Sequence, residues 1–446
     1  MSIMMNTKPV TYVSLKTVLC HTEPNLRFQI STRMPSIRQT EKRVPLKIET
    51  LALQEFKTTV NGTSYELGVY RDFHPDAVVA DQMKRENENG GVKHDLDEYG
   101  FKVNPFSTPI FPGDMDFRNG QSPSFGDDLP EDLYRHELKM AEEALKKLEE
   151  LEAKGITVEE YLQTAQEEVE GDVRQYIADG KEYVQRTIEH ARATLYPYDC
   201  RKNDERPPYT PYIQLTVSKN WKQEIQRTSY DRKLYEAAKQ VNHWFFANRG
   251  IIRVNQLNVL SHGEVCRLPI GLQICASIVT GYEWNMLPIS SVLTPYCQTV
   301  RIRSIASLNC DSPVVRNAKI LEISTENLMW PTTNLHQLPN PQIKLSYPYT
   351  DQITTANYFD RITEWLSIDR FIGSKLSIML DTEDAGEKVL EMARSRSSER
   401  ANCRSFKRCV RVRWQNGKDI RICYVKNKKR SQFEWILKTR IIKAEA

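Results

Sequence analysis

Alternating apolar and polar residues predict β structure in the first part of the chain. The segments Leu26 to Ile30 and Val44 to Ile48 carry apolar side chains at every second position, which is the period of a half-buried strand. Asn61-Gly62 then supplies a two-residue hairpin turn, because both residue types tolerate positive φ. We expect a β-rich N-terminal domain over residues 1–82, followed by a linker rich in Pro, Gly and Asn over residues 83–129.

Apolar residues return at helical spacing in the next segment and predict an acidic helical hairpin over residues 130–196. The first helix should end at Gly155. A capping box, Thr157-x-x-Glu160, starts a second helix that the pattern extends to Pro197. The apolar stripe of this helix fits two uses, which are packing against the first helix and docking of a partner protein.

Short apolar runs separated by turn residues follow, and they favour a small barrel over a doubly wound sheet. We expect an OB-like barrel with a preceding helix over residues 209–345, and a C-terminal α/β module over residues 350–446. The fold class is therefore α+β. The predicted strands lie near residues 251–254, 272–279, 300–305 and 319–323, and the predicted helix lies near residues 229–248.

The last strands predict an amphipathic sheet with one basic side. Residues 410–414 and 420–424 place their apolar side chains on the same face only if an odd number of residues joins them, and the loop Asn416-Gly417-Lys418 meets this condition. The opposite face and the turn that follows then carry Cys423 and the cations Arg411, Arg413, Arg421, Lys426, Lys428, Lys429 and Arg430.

Composition indicates a folded chain without a recognisable catalytic motif. Of 446 residues, 40% are hydrophobic and only 18 are glycine, and no Gly-rich phosphate loop, G-x-S-x-G or H-E-x-x-H sequence is present. We expect no enzyme, no cofactor and no metal. The longest apolar stretch, Leu268 to Val279, is too short to cross a membrane. Nine cysteines without a C-x-x-C pair indicate reduced thiols in the cytosol or nucleus, and we interpret Cys403 and Cys409 as small apolar packers.

Charge is segregated along the chain although the net charge is only +4. Residues 127–182 contain 18 Asp and Glu against 7 Lys and Arg, whereas residues 394–446 contain 17 Lys and Arg against 4 Asp and Glu. The basic segment should attract polyanions. It could also be a solvated strand face, a nuclear import signal or a surface that docks the acidic helices of the same chain.

Three segments resemble the telomere end-binding proteins of the protection-of-telomeres type. Thr299 to Ile305 and Ala318 to Trp330 are similar to late strands of an OB-fold in that family. Tyr230 to Trp244 resembles the helix that joins its first two barrels, and Tyr12 to Val18 resembles the opening of its first barrel.

The resemblance implies binding of G-rich single-stranded DNA without catalysis, through stacking aromatics and cations. By position, Arg301 and Arg303 lie on the similar strand. The nearby aromatic residues are Tyr282, Trp284, Tyr296 and Trp330.

Together these patterns predict a non-enzymatic protein that binds single-stranded nucleic acid. The specific ligand that the resemblance implies is telomeric DNA. We expect it in the nucleus, with the cytoplasm as the alternative, and we expect the acidic helices to recruit a protein partner. The competing hypothesis is a structural or assembly subunit of a virus or a complex, in which acidic and basic surfaces of neighbouring copies meet.

Overall fold

The computed structural model describes most of the chain, and the described residues form two compact units. The first unit is drawn from residues 1–63, 110–119 and 241–446, and the second from residues 64–109 and 120–240. The described ranges are 11–77, 79–118, 131–164, 171–260, 263–281, 286–295, 297–302, 311–324, 335–346, 355–397, 403–414, 416–428 and 433–444.

The first unit begins with short helices, so the strand predicted from Leu26 to Ile30 is wrong. Pro24 opens the second helix, and Glu23 caps it by accepting a hydrogen bond from the Leu26 amide at 3.1 Å. Arg27 on this helix is buried in an ion pair, so the burial pattern has a helical period that hydropathy does not show. The helices are α1 (Tyr12–His21), α2 (Pro24–Arg33) and α3 (Arg38–Arg43), with a 3₁₀ turn at Pro35–Ile37.

Parallel strands that follow one another along the chain make up much of the sheet in the first unit. From β9 to β13 each connection contains a helix or a 3₁₀ turn, and from β7 to β13 the strands recur roughly every 20–30 residues, which is typical of a solenoid. The parallel strands are β1 (Lys47–Leu53), β7 (Ile252–Val259), β9 (Ile274–Gly281), β10 (Thr299–Ile302), β11 (Ile320–Ser324), β12 (Gln342–Ser346) and β13 (Lys375–Leu380). The connections contain 3₁₀ turns at Pro288–Ser291 and Leu335–Gln337 and the helices α10 (Pro313–Arg316) and α11 (Thr355–Trp365).

The structure therefore corrects the OB-like barrel predicted over residues 209–345. Strands β7 and β9 to β12 pair in parallel, and no sheet of described strands closes into a barrel. The apolar alternation fits both a small barrel and a sheet of parallel strands. The spacing distinguishes them, because parallel neighbours need a crossover of a dozen or more residues, whereas hairpins need only a few.

Four antiparallel strands extend this sheet beyond β13. Helix α12 (Glu383–Ser397) packs against them, and Gly386 on this helix allows the close approach, since a Cβ atom there would lie 2.7 Å from the Tyr424 ring. From β13 outward the order is β17 (Trp435–Lys443), β16 (Lys418–Lys426), β15 (Cys409–Arg413) and β14 (Cys403–Phe406). Elsewhere in this unit, β2 (Lys57–Val60) pairs with β1, and β4 (Met115–Asp116) pairs with β8 (Val265–Cys266).

The second unit combines an antiparallel sheet with a group of helices. The turn before its first strand has φ of 49° at Asn61 and 77° at Gly62, as expected for the predicted hairpin turn. Its strands are β3 (Thr63–Phe73), β5 (Tyr209–Lys219) and β6 (Lys222–Ser229), and α9 (Leu234–Phe246) begins after them. The helix predicted from about residue 229 therefore starts later than expected.

The described residues of the acidic segment form four helices: α5 (Glu131–Lys154), α6 (Val158–Thr164), α7 (Gly171–Asp179) and α8 (Lys181–Asn203). The capping box is confirmed, because the Thr157 amide donates to Glu160 at 3.0 Å and the Glu160 amide donates to Thr157 Oγ1 at 3.2 Å. The prediction of one helix ending at Pro197 is wrong. Gly180, with φ of 89°, separates α7 from α8, and α8 continues through Pro197. Helix α4 (Asp81–Glu88) begins before the predicted linker and overlaps its first residues.

Candidate nucleic-acid interface

Five cationic side chains lie directly opposite one another across the last five strands of the first unit. Their positions follow from the strand register, since residues paired across neighbouring strands share a face. With neighbouring strands about 4.8 Å apart, the line spans roughly 19 Å. We call this set the cation row: Lys375 on β13, Arg440 on β17, Arg421 on β16, Arg411 on β15 and Arg404 on β14.

Strict alternation in these strands keeps the cation row on the side opposite the core. Val410, Ile420 and Leu437 are buried on the other face. The register sets Val410 opposite Ile422 and Val412 opposite Ile420, as the sequence predicted. The Trp414 amide donates to the Lys418 carbonyl at 2.9 Å, so Lys418 pairs with the first strand instead of lying in the loop as predicted.

The cations of this face differ in how they are paired. The buried carboxylate of Asp419 forms ion pairs with Arg411 at 2.7 Å and with Arg413 at 2.9 Å. Arg421 donates to the sulfur of Cys409 at 3.3 Å, and this hydrogen bond raises the pKa of Arg421. Within the described residues, Lys375 and Arg440 form no ion pair. The row thus presents more positive charge than the neighbouring carboxylate neutralises.

A second line of side chains runs beside the cation row on the same face. Lys438 adds a further exposed cation, and Phe406 at the outer strand is 57% exposed. An exposed aromatic ring next to cations is a feature of surfaces that stack nucleic-acid bases. In order across the strands, this second row consists of Ser377, Lys438, Cys423, Cys409 and Phe406.

The remaining residues of the predicted basic cluster lie at the end of β16. Lys426 is exposed, but it lies opposite Trp435 in register with the apolar face, away from the cation row. Lys428 is exposed just after the strand. Lys429 and Arg430 lie outside the described residues.

Of the residues matched to the telomere-binding resemblance, Arg301 is the one that the structure describes. It lies on β10 in register with Glu322 and Lys344, and Glu322 contacts Arg301 at 2.7 Å and Lys344 at 2.6 Å. Burial would raise the pKa of Glu322, but the hydrogen bonds from both cations lower it overall. Arg301 is therefore partly neutralised. Arg303, Tyr282, Trp284, Tyr296 and Trp330 lie outside the described residues.

Sequence reasoning missed several residues of this face, namely Lys375, Lys438, Arg440, Arg404 and Phe406. The alternation from Trp435 to Lys443 predicts a strand with Lys438 and Arg440 on its polar face. The sequence pattern does not show which strands lie next to β17. In the structure β17 lies between β16 and β13, and β13 is distant in sequence. This crossover, which no local pattern reports, joins the cations into one row.

The second unit contains a cleft of about 500 Å³, and its lining carries both signs of charge. Asp97 and Glu98 face Arg206 and Lys233 there. Burial raises the pKa of Tyr209 to about 12, so this side chain remains a neutral phenol. The mixed charges do not select an anionic or a cationic ligand.

The described residues contain no group of three or more His, Cys, Asp and Glu residues that could hold a metal ion. None of the helices in the described ranges combines the length and the apolar character needed to cross a bilayer.

Comparison with known proteins gives one match. Residues 233–382 match the model of a family described as a domain of unknown function, DUF3557. No curated protein and no solved structure matches the chain. The matched segment includes the parallel strands from β7 to β13 and ends before β14, so four of the five cations in the row lie outside it.

Proposed function

We propose that this protein binds single-stranded nucleic acid on the face that carries the cation row, without catalysing a reaction. The observation that carries this proposal is the alignment of Lys375, Arg440, Arg421, Arg411 and Arg404 across five adjacent strands. Several cations on one surface are what a polyphosphate requires, because each contact releases counterions.

The alignment has an energetic cost that a polyanion would remove. Like charges directly opposite one another in a sheet are destabilising, and cross-strand pairs have energies of roughly 0.2–1 kcal/mol. The row contains four such adjacent pairs; Arg411, which belongs to two of them, is also ion-paired with Asp419, whereas Lys375 and Arg440 form no ion pair within the described residues. Stability alone does not favour this arrangement, whereas binding of a chain of phosphates does.

The shape and composition of the face favour a single strand over a duplex. A sheet surface supports splayed bases, and exposed aromatics on such surfaces stack with them. Phe406 lies one row away from the cations and is exposed. At about 3.4 Å per phosphate along one stacked strand, a row of roughly 19 Å accommodates several consecutive nucleotides.

The proposal also includes a specific ligand, a cellular location and a surface for a protein partner. Telomeric G-rich DNA is the specific ligand suggested by the sequence resemblance. Nuclear location follows if that ligand is correct. The acidic helices α5 to α8, whose apolar side chains pack into a shared core and leave many carboxylates exposed, are the surface that we propose for a protein partner.

Fluorescence anisotropy of labelled oligonucleotides tests this proposal. The ligands are a G-rich telomere-repeat strand, a scrambled strand of the same length and a duplex, at about 50 mM and about 200 mM salt. Preference for the G-rich strand supports the telomeric form, and equal binding of both single strands supports a general single-strand binder. Tighter binding of the duplex, or no binding, contradicts the proposal, and the absence of binding favours the assembly subunit.

A charge-matched pair of variants localises the contact. The row variant carries Lys375→Glu, Arg421→Glu and Arg440→Glu. The control variant carries the same change at three exposed lysines that lie on none of the strands β13 to β17, Lys202→Glu, Lys222→Glu and Lys319→Glu. Loss of binding in the row variant alone supports the proposed surface. Equal loss in both variants shows that only net charge matters and contradicts it.

A further inference from the structure

Two cysteines occupy the centre of the second row, directly opposite each other on β15 and β16. The sulfur atoms of Cys409 and Cys423 are 2.7 Å apart. Both residues are partly exposed, and both are free thiols. The sequence interpretation of Cys409 as an apolar packer is therefore wrong, because its side chain lies on the polar face.

The backbone geometry at this pair is suitable for a disulfide. The Tyr424 amide donates to the Arg408 carbonyl at 3.3 Å, so the pair Arg408 and Tyr424 is hydrogen-bonded and the next pair along the strands, Cys409 and Cys423, is not. Non-hydrogen-bonded pairs have Cα atoms about 4.5 Å apart, and disulfides need roughly 4.4–6.8 Å. The register of the two strands therefore places this pair within the range of a disulfide.

The surroundings distinguish the two thiols chemically. Arg421 donates to the sulfur of Cys409, and an adjacent guanidinium stabilises a thiolate. The Cys423 thiol also donates a hydrogen bond to the Cys409 sulfur. Because both donors point to the same sulfur, we assign Cys409 as the nucleophile and Cys423 as the thiol that resolves its oxidised form.

We propose that Cys409 and Cys423 form a redox-sensitive pair that a hydroperoxide oxidises to a cross-strand disulfide. The Cys409 thiolate attacks the peroxide oxygen, the O–O bond breaks, and an alcohol or water leaves while a sulfenic acid forms. The Cys423 thiol then attacks the Cys409 sulfur, the S–O bond breaks, and water leaves as the S–S bond forms. Two thiols are oxidised and one peroxide is reduced.

This inference does not depend on the proposed nucleic-acid binding. The disulfide would close a loop of about 15 residues, which corresponds to an increase of roughly 10²-fold in the folding equilibrium constant. It would also fix β15 to β16 two residues from the position where the cation row crosses them. A thiol reductant would restore the free pair.

Peptide mapping of the full chain after exposure to hydrogen peroxide tests the inference. The expected result is a linked pair of peptides that contain Cys409 and Cys423, with a mass loss of two hydrogens that dithiothreitol reverses. Cys275→Ser should leave the link intact, whereas Cys409→Ser should abolish it and Cys423→Ser should leave a sulfenic acid at Cys409.

Two results would overturn the inference. The first is that peroxide oxidises the exposed Cys20 while Cys409 and Cys423 remain unlinked. The second is that the same link forms equally fast in urea, which would show that the folded geometry does not promote it. Both are read from the unmodified chain, so the test does not depend on whether a variant folds.

Discussion

Replacing Arg440 with Gln should stabilise the protein, although Arg440 is an ordinary exposed residue near the C-terminal end. Arg440 lies opposite Lys375 on one side and Arg421 on the other, and it forms no ion pair within the described residues. Gln keeps a polar end group without the positive charge. The substitution therefore removes repulsion from two like-charged neighbours and breaks no ion pair within the described residues.

The expected gain follows from the strand spacing. Two unit charges about 5 Å apart in water repel each other by roughly 0.8 kcal/mol before screening. With two neighbours and a Debye length of about 10 Å at 0.1 M salt, the substitution should raise the free energy of unfolding by about 1 kcal/mol. At 1 M salt the Debye length falls to about 3 Å, and the gain should fall to about 0.3 kcal/mol.

Urea unfolding at both salt concentrations measures this difference. Lys438→Gln is the matched control, because Lys438 lies on the same strand and the same face but opposite the uncharged Ser377 and Cys423. At low salt, Lys438→Gln should raise the free energy of unfolding clearly less than Arg440→Gln does. Destabilisation by Arg440→Gln, or a gain that does not depend on salt, would refute the description of the row as mutually repulsive.

Two further predictions concern buried charges. The carboxylate of Glu41 forms ion pairs with Arg27 at 2.9 Å and with Arg249 at 2.7 Å, and all three side chains are buried. In a urea titration, Glu41→Gln should therefore lower the free energy of unfolding by about 3–5 kcal/mol. The control Glu152→Gln, at the exposed pair with Lys181, should have little effect. Burial lowers the pKa of His94 to about 4 from the usual 6.5, so the folded state binds fewer protons than the unfolded state. The stability that this histidine contributes should be complete above about pH 6.5 and be lost as the pH falls towards 4. His94→Gln should therefore flatten the dependence of the free energy of unfolding on pH between these values. An unchanged pH profile would contradict the assignment.

Local signals in the sequence predicted local structure well. The capping box at Thr157 and Glu160 forms both of its hydrogen bonds, and the requirement for an odd loop placed Val410 opposite Ile422. In each case the interacting residues are close in sequence, so the pattern contains the information that fixes the geometry.

Features that depend on distant neighbours were missed or assigned wrongly. The parallel strands have the same apolar alternation as a barrel, and the difference lies in which strand is adjacent. Helix α2 buries Arg27, which hydropathy assigns to the surface, because Glu41 lies beside it. Lys375 and Arg440 join the cation row because β13 pairs with β17, about 60 residues later.

The salt dependence of oligonucleotide binding tests the central claim most directly. For single strands, each phosphate contact adds about 0.7 to the steepness of log K against log salt concentration. The row variant, which lacks three cations, should therefore lower this slope by about 2, while the charge-matched control variant leaves it unchanged. A row variant with the slope of the unmodified protein would show that phosphates do not contact these side chains and would contradict the account.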